Sequence, residues 1–219
     1  MKLLLTSGGF KNQSIVRALQ ELTTKPFSEL KVAFIPTAAN LESGDKQDWF
    51  IKDLINLKEL KFNSIDIVDI SALPKEIWLD RLNEVDIIYV EGGNTYHLMY
   101  WFNQSGLSKI LPELLKTKIY VGVSAGTIIT TPSLLNADFE KQPVLDIKEI
   151  AYDNGLSLVE FMVEPHMNSV WFPESNFENL EKRSKDYKYP IYGLDDNSAI
   201  KIEDDRIEIV SEGEWKRYN

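Results

Sequence analysis

The chain has 219 residues, 43% of them hydrophobic and 11% aromatic, and this composition predicts a folded globular protein with one core. Its net charge of −10, from 34 acidic and 24 basic residues without a basic block, argues against a nucleic-acid partner. Because the chain has no cysteine, disulfides, thiolate nucleophiles and cysteine-ligated metals are excluded.

The N-terminal run 1–6 carries one positive side chain and lacks a small-residue cleavage site, which is typical of a first strand rather than a signal peptide. No stretch approaches the roughly 18 uncharged apolar residues of a membrane span. We therefore expect a cytoplasmic protein, monomeric or homodimeric, without a membrane partner.

Short apolar runs then alternate with segments of helical period, which is the pattern of β–α units around a parallel sheet. The predicted strands of this part are Lys2–Thr6, Lys31–Pro36, Ser64–Ile70, Asp86–Val90 and Ile119–Val123. The predicted helices between them are Gln13–Leu22, Asp45–Leu60, Lys75–Asn83, Thr95–Asn103 and Ser108–Lys116.

After Gly126 the pattern loosens, and the later elements are mostly strands. They are a strand near Leu158–Val163, a helix near Glu174–Asp186, and strands at Pro190–Leu194, Ala199–Glu203 and Arg206–Ser211. We expect one doubly wound α/β domain over residues 1–219, with a mostly parallel sheet, helices on both faces and a C-terminal β ribbon. Sites in such sheets lie at the carboxyl ends of strands.

The run Gly122-Val123-Ser124-Ala125-Gly126 follows the fifth predicted strand. A Gly-x-Ser-x-Gly pattern is typical of a sharp turn from strand to helix, where the glycines relieve crowding and leave the serine exposed. The following helix then directs backbone N–H groups toward a reacting carbonyl oxygen. The pattern predicts Ser124 as a nucleophile, and a tight turn with an inert serine is the alternative.

A second glycine run, Gly92-Gly93-Asn94-Thr95, follows the fourth predicted strand. As a simple turn, this run would leave Asn94 to cap the next helix. At the end of an adjacent strand, its glycines would instead let backbone N–H groups approach a ligand closely. We assign Gly92, Gly93 and Asn94 to oxyanion or substrate binding, with the N–H of Ala125 as the second donor.

The chain has only two histidines from which to choose a general base. His97 lies among aromatic and apolar residues of a predicted helix, which favours a packing or surface role. His166 follows Glu164-Pro165, where proline enforces an extended backbone and leaves the histidine at a strand terminus. We predict that His166 is the base for Ser124, and a structural histidine is the alternative.

A third triad member would orient the imidazole and stabilise its charged form. Acidic residues are numerous, and any one of them is more often a solvated surface group than a catalytic one. The candidates are Asp138, Glu140, Asp153, Glu164, Asp195 and Asp196.

No motif predicts a metal or a cofactor. The two histidines are distant in sequence, and there is no HExxH spacing, no Walker motif and no GxGxxG. The run Ser7-Gly8-Gly9-Phe10 after the first strand is too short a glycine signal to indicate a nucleotide site.

Taken in order, the runs 92–95 and 122–127 and the pair Pro165-His166 closely resemble the signatures of the peptidase E family, which includes aspartyl dipeptidases and is related to cyanophycinase. The runs 34–38 and 193–196 extend the resemblance over most of the chain. The resemblance implies a class I glutamine amidotransferase-like α/β fold with a serine at the nucleophile elbow.

The resemblance also implies roles for individual residues. Ser124 would be the nucleophile and His166 the base, while Gly93 and Ala125 would offer N–H groups to the oxyanion. The family's acid would fall in the stretch after the serine, where Asp138 is the nearest match.

One departure from the family concerns specificity. The resemblance implies an arginine beyond Pro-His that binds the N-terminal aspartate of the substrate, yet the first arginine after His166 is Arg183. Trp171 and Phe172 stand between them and would form an apolar wall or pack into the core. We therefore expect peptides with a neutral or apolar first residue to be hydrolysed at least as well as Asp-X dipeptides.

These patterns together predict a dipeptidase-like serine peptidase that hydrolyses small peptides through a Ser-His-acid acyl-enzyme. One alternative is an esterase-type serine hydrolase, but about fifty residues follow His166, whereas esterases of the α/β-hydrolase type place this histidine close to the C-terminus. The other alternative is an amidotransferase-like binding protein without turnover.

Overall fold

The computed structural model describes residues 1–42, 47–134, 137, 140–141 and 152–219. The strands are β1 Lys2–Thr6, β2 Lys31–Ile35, β3 Ser64–Ile67, β4 Ile87–Val90, β5 Ile119–Val123, β6 Met162–Glu164, β7 Ile191–Leu194, β8 Ser198–Glu203, β9 Arg206–Ser211 and β10 Trp215–Tyr218. The α-helices are α1 Gln13–Leu22, α2 Asp48–Glu59, α3 Lys75–Asn83, α4 Thr95–Gln104, α5 Leu107–Leu114, α6 Ala125–Ile128 and α7 Phe177–Ser184.

The larger sheet has seven strands in the order β3-β2-β4-β5-β1-β8-β9. The first five are parallel, and β8 and β9 are antiparallel to their neighbours. Because β4, β5 and β1 are adjacent and parallel, their carboxyl ends lie side by side, with Val90 opposite Gly122 and Thr6 opposite Val123. The loops that follow these three strands therefore meet at one edge.

Helices cover both faces of this sheet, as continuously apolar parallel strands require. On one face, Leu3 and Leu5 belong to a core with Tyr96 and Leu111 from α4 and α5. On the other face, Leu4 belongs to a core that α1 and α2 complete. The predicted doubly wound α/β architecture is confirmed.

The smaller sheet has the order β10-β7-β6 and packs its apolar side chains with those of α7. The predicted C-terminal ribbon is divided between the two sheets, because β8 pairs with β1 while β7 pairs with β6 and β10. Strand β10 escaped prediction because it is exposed and carries two adjacent charged residues, which is atypical of a strand.

Several predicted boundaries move by a few residues. The strand expected at 158–163 begins only at Met162, and α7 begins after Asn176, whose side chain caps it by accepting the N–H of Asn179. The expected start of the second helix at Asp45 lies outside the described residues. Within the described part of the chain, no helix is both long and apolar enough to cross a bilayer.

Candidate active site

Ser124 occupies the sharp turn between β5 and α6. Its backbone has φ +47° and ψ −107°, a conformation that residues with a side chain rarely adopt. The turn is held from both sides, because the N–H of Ser124 donates to the carbonyl of Thr6 at 3.2 Å and its own carbonyl accepts the N–H groups of Thr127 and Ile128 at 2.9 Å. The strand-to-helix elbow expected from the sequence is present.

Close backbone packing explains the two glycines that flank this serine. A Cβ atom on Gly122 would lie 2.7 Å from the carbonyl oxygen of Gly126, and one on Gly126 would lie 2.1 Å from the carbonyl oxygen of Val90. No side chain fits in either place. The close approach of β5, α6 and β4 therefore requires glycine at both positions.

The loop after β4 is shaped by a third obligatory glycine. Gly93 has φ +130°, and a Cβ atom there would lie 2.4 Å from the backbone of Ala38. The preceding Gly92 packs against Ser124, since its Cβ position lies 3.2 Å from the Cβ of that serine. Its N–H is already taken by the carboxylate of Glu91 at 2.8 Å.

Asn94 fits the capping alternative. Its side-chain oxygen accepts the N–H of His97 at 2.8 Å at the start of α4, and its amide donates to the carbonyl of Glu140 at 2.9 Å. Both ends of the amide are thus engaged within the protein. We infer that Asn94 shapes the loop, and its assignment to substrate binding gains no support from these contacts.

The N–H groups of Gly93 and Ala125 differ from that of Gly92. Within the described residues, neither of them has a hydrogen-bond acceptor in the protein. Ala125 follows Ser124 in the chain, and Gly93 follows Gly92, whose Cβ position lies 3.2 Å from the Cβ of Ser124. This arrangement leaves two donors available to an oxygen atom bound next to the serine.

His166 contacts the serine directly. Its Nε2 lies 2.9 Å from the Oγ of Ser124, and its side chain is largely shielded from solvent. The backbone of His166 has φ +59°, and the ring stacks on Phe172 with centroids 4.8 Å apart. The apolar segment beyond the Pro-His pair therefore restrains the imidazole.

Asp196, in the turn between β7 and β8, lies on the other side of this ring. Its Oδ1 is 2.6 Å from Nδ1 of His166. Burial raises the pKa of Asp196, but the hydrogen bonds from His166 and Ser7 outweigh burial, so the pKa lies below its ordinary value. The carboxylate is therefore ionised where it faces the imidazole.

The other candidate acids are placed differently, apart from Asp138, which lies outside the described residues. Glu140 accepts the N–H of Thr95, and burial raises the pKa of Glu140 to about 7. The remaining three also have partners of their own: Glu164 pairs with Arg183 at 2.5 Å, Asp153 pairs with Lys141 at 2.5 Å, and Asp195 accepts the hydroxyl of Ser198 at 2.6 Å. In the part of the chain that the structure describes, the acid on His166 is Asp196.

His97, the other histidine, has an aromatic neighbour on its own helix. It lies on α4 and packs edge-to-face against Trp101, with centroids 6.4 Å apart. This contact agrees with the packing role expected from its sequence context.

Sequence reasoning missed Ser7, the first residue after β1. Its side chain is fully buried, and its Oγ accepts the backbone N–H of His166 at 2.7 Å and donates to Oδ1 of Asp196 at 3.1 Å. The run Ser7-Gly8-Gly9-Phe10 is too short to indicate a nucleotide site, and its residues alone indicate no other role. Its place at the carboxyl end of the strand next to β5 is the signal that could have indicated a role at the site.

An acidic group is buried beside the glycine loop. Burial, with a further contribution from Asp53, raises the pKa of Glu91 to about 8. Asp53 is itself buried and pairs with Lys11 at 3.2 Å, and burial raises its pKa despite this cation. Among the described residues, no three His, Asp or Glu side chains are grouped to hold a metal ion.

Comparison with known proteins places this geometry in a family. Residues 3–210 match peptidase family S51. An uncharacterized peptidase of Listeria monocytogenes is 32% identical over 172 residues, covering 78% of this chain and 81% of the relative, and a peptidase E of Nostoc is 26% identical over 219 residues, covering 95% and 84%.

Solved structures agree with this placement. The structure of a candidate peptidase E protein from Listeria monocytogenes aligns with a TM-score of 0.78 at 27% identity, covering 97% of this chain and 98% of that one. A peptidase from an acI-B1 actinobacterium has the same fold, with a TM-score of 0.65 at 18% identity, covering 98% of this chain and 88% of that one. The resemblance read from the motifs is confirmed, and the chain belongs to peptidase family S51 as a serine-type peptidase.

Proposed function

We propose that the protein hydrolyses small peptides, dipeptides among them, through a Ser124–His166–Asp196 triad. One observation carries the proposal: an unbroken line of contacts runs from Oγ of Ser124 to Nε2 of His166 at 2.9 Å and from Nδ1 to Asp196 at 2.6 Å. A nucleophile, a base and an orienting carboxylate are recognised by this geometry rather than by their order in the chain. The proposal replaces Asp138 with Asp196 as the acid.

In the first half of the reaction, Oγ of Ser124 attacks the carbonyl carbon of the scissile amide while Nε2 of His166 takes the hydroxyl proton. The tetrahedral intermediate collapses as the C–N bond breaks, and the imidazolium gives its proton to the leaving amine. The acyl group remains esterified to Ser124.

In the second half, water attacks the ester as His166 takes one proton from it. The bond between the acyl carbon and Oγ breaks, and the imidazolium returns the proton to Ser124. Throughout both halves, Asp196 accepts the Nδ1–H, which fixes the tautomer that leaves Nε2 free to act as a base.

The negative oxygen of each intermediate needs donors that are already in place. The N–H groups of Gly93 and Ala125 fit this need, because Ala125 follows Ser124, Gly93 follows the glycine that packs against Ser124, and neither N–H has an acceptor among the described residues. The contact between Gly92 N–H and Glu91 explains why Gly93, rather than Gly92, serves as the loop's donor.

The charges around the site favour substrates with a neutral or apolar first residue, because Lys11, the lysine that acts on Asp196, is paired with the buried Asp53 at 3.2 Å. Each of the five arginines has an aromatic or acidic neighbour of its own: Glu212 acts on Arg17, and the other contacts are Arg81–Asp66, Arg183–Glu164, Arg206–Glu208 and Arg217–Tyr192. The first two cationic residues after His166 are Lys182 and Arg183, and both have acidic partners, because Lys182 pairs with Glu178 at 2.7 Å. Phe172 on the imidazole and the exposed Trp171 offer apolar surface in their place.

Fluorophosphonate labelling tests the proposal, because an activated serine reacts with this probe and an inert turn serine does not. The wild type should be labelled, and Ser124→Ala should lose both labelling and hydrolysis, with kcat falling about 10⁴- to 10⁶-fold. Ser105→Ala, at the half-buried C-terminal cap of α4, is the control and should label normally. Hydrolysis by Ser124→Ala above a tenth of the wild-type rate would overturn the assignment of the nucleophile.

A further inference from the structure

Ser7 bridges His166 and Asp196, which lie in the loops after β6 and β7 of the smaller sheet. Its hydroxyl accepts the backbone N–H of His166 at 2.7 Å and donates to Oδ1 of Asp196 at 3.1 Å. The side chain is fully buried, and the backbone N–H of Ser7 donates to the carbonyl of Ser198 at 3.2 Å. We propose that Ser7 is a positioning residue that sets the mutual geometry of His166 and Asp196, an inference that rests on the proposed function.

The placement of Ser7 in the fold explains why one hydroxyl can do this. It follows β1, which is the neighbour of β5, so its position is tied to the strand that carries Ser124. His166 follows β6 in the other sheet, and Asp196 lies in the turn before β8. Ser7 thus fixes both of these residues relative to the nucleophile.

The backbone next to Ser7 is shaped for this close approach. A Cβ atom on Gly8 would lie 3.2 Å from both Cβ and Cγ of Asp196 and 3.0 Å from Cε of Lys11. A side chain at Gly8 would require Lys11 or Asp196 to shift by a few tenths of an ångström. The strained φ of +59° at His166 likewise needs an anchor, which the bond from its N–H to Ser7 supplies.

The hydroxyl also acts on the electrostatics of the pair. Ser7 and His166 donate to the same oxygen of Asp196, so the hydroxyl disperses part of the negative charge that faces the imidazole. The charged groups that act on Asp196 are His166, Lys11 and Asp53. Removing the hydroxyl takes one donor away from Oδ1, so that more of its negative charge faces the imidazole.

The test compares Ser7→Ala with Ser198→Ala in the wild-type background, measuring kcat/KM for a dipeptide across pH. Ser198 is the matched control, because it is also buried and donates at 2.6 Å to a carboxylate of the same turn, that of Asp195. We expect Ser7→Ala to lose about 10- to 100-fold in kcat/KM, mostly in kcat, with the acidic limb of the profile moved to higher pH. Ser198→Ala should keep at least a third of the activity and an unmoved limb.

Ser7→Cys, which keeps the size and a weak donor, should fall between the wild type and Ser7→Ala, and it serves as the test variant if Ser7→Ala does not fold. The proposal is overturned if the Ser7 variants keep more than a third of kcat/KM, or if they lose activity without moving the acidic limb. Labelling by fluorophosphonate separates the two proposals. A wild type that does not label overturns the triad itself, whereas a labelled wild type with indifferent Ser7 variants overturns only the role of Ser7.

Discussion

The nucleophile elbow and the histidine–aspartate pair are built in opposite ways. At the elbow, everything that Ser124 requires lies within a few residues or on the adjacent strand, and Gly122, Gly126 and Gly93 each sit where a Cβ atom would strike backbone. The histidine and the aspartate are 30 residues apart and follow strands of a different sheet. A tight local turn restricts the residue types at adjacent positions and so appears as a sequence motif. A contact between residues that are distant in sequence leaves no such motif.

Strand pairing brings together the loops that contain His166 and Asp196. The parallel pairing of β6 with β7 sets Glu164 opposite Gly193, so the chain leaves the two strands toward the same end. The pairing of β8 with β1 sets Ala199 opposite Thr6, which brings the turn containing Asp196 to the residue after β1. The topology of the two sheets therefore brings Asp196 to His166.

The largest effect on activity is expected from replacing Asp196 of the histidine–aspartate pair. Asp196→Asn keeps the shape of the side chain but loses the charge and the preference for the productive tautomer, so kcat should fall about 10⁴-fold. Steady-state hydrolysis of the best dipeptide measures this loss, with thermal unfolding to show that the variant is folded.

Two further substitutions serve as controls for this result. Asp195→Asn alters the same turn, and Asp138→Asn alters the acid that the family resemblance favoured. Each should keep activity within about tenfold of the wild type. If Asp138→Asn were the more damaging substitution in a folded protein, the acid would come from the stretch after the serine, as the resemblance implied.

Sequence reasoning succeeded where the physical requirement was local. Four of the five parallel strands are apolar almost throughout, β3 with Ser64 and Asp66 being the exception, and the elbow needs its glycines, so both features could be predicted from short runs. His166 could be proposed as the base only because the chain has two histidines and the other one lies within a helix of aromatic residues. Asp196 remained one candidate among six, and Ser7 was unassigned, because their roles depend on the pairing of β1 with β8.

A smaller effect concerns specificity, which depends on the region around the histidine. A carboxylate entering the site needs a cation to offset its desolvation, and the chain's arginines are engaged elsewhere. We expect kcat/KM for Asp-Leu to be no higher than for Ala-Leu or Phe-Leu. Matched kinetics on these three dipeptides measure the preference.

Asn-Leu is the control substrate, because it matches aspartate in shape and lacks the charge. A preference for Asp-Leu over Asn-Leu above about 10²-fold, equivalent to roughly 2.7 kcal/mol, would show that a cation reaches the pocket. A preference for Phe-Leu abolished by Phe172→Ala would locate the apolar surface on the segment after His166.

The smallest expected effect lies on the elbow side, at Glu91, whose carboxylate holds Gly92. Burial, more than the neighbouring Asp53, raises the pKa of Glu91 from the ordinary 4.5 to about 8. The folded protein therefore binds this proton more tightly than the unfolded chain does, and the resulting stability is complete below about pH 4.5 and is lost as pH rises through about 8.

Glu91→Gln mimics the protonated acid and keeps an acceptor for the N–H of Gly92. Its Tm should match that of the wild type at pH 5 and exceed it at pH 9 by at least about 3 °C, the shift that roughly 1 kcal/mol produces in a protein of this size. The exposed Glu160→Gln should follow the wild type at both pH values. Equal pH dependence for Glu91→Gln and the wild type would mean that Glu91 is ionised in the folded protein and that the glycine loop is held by a charged group.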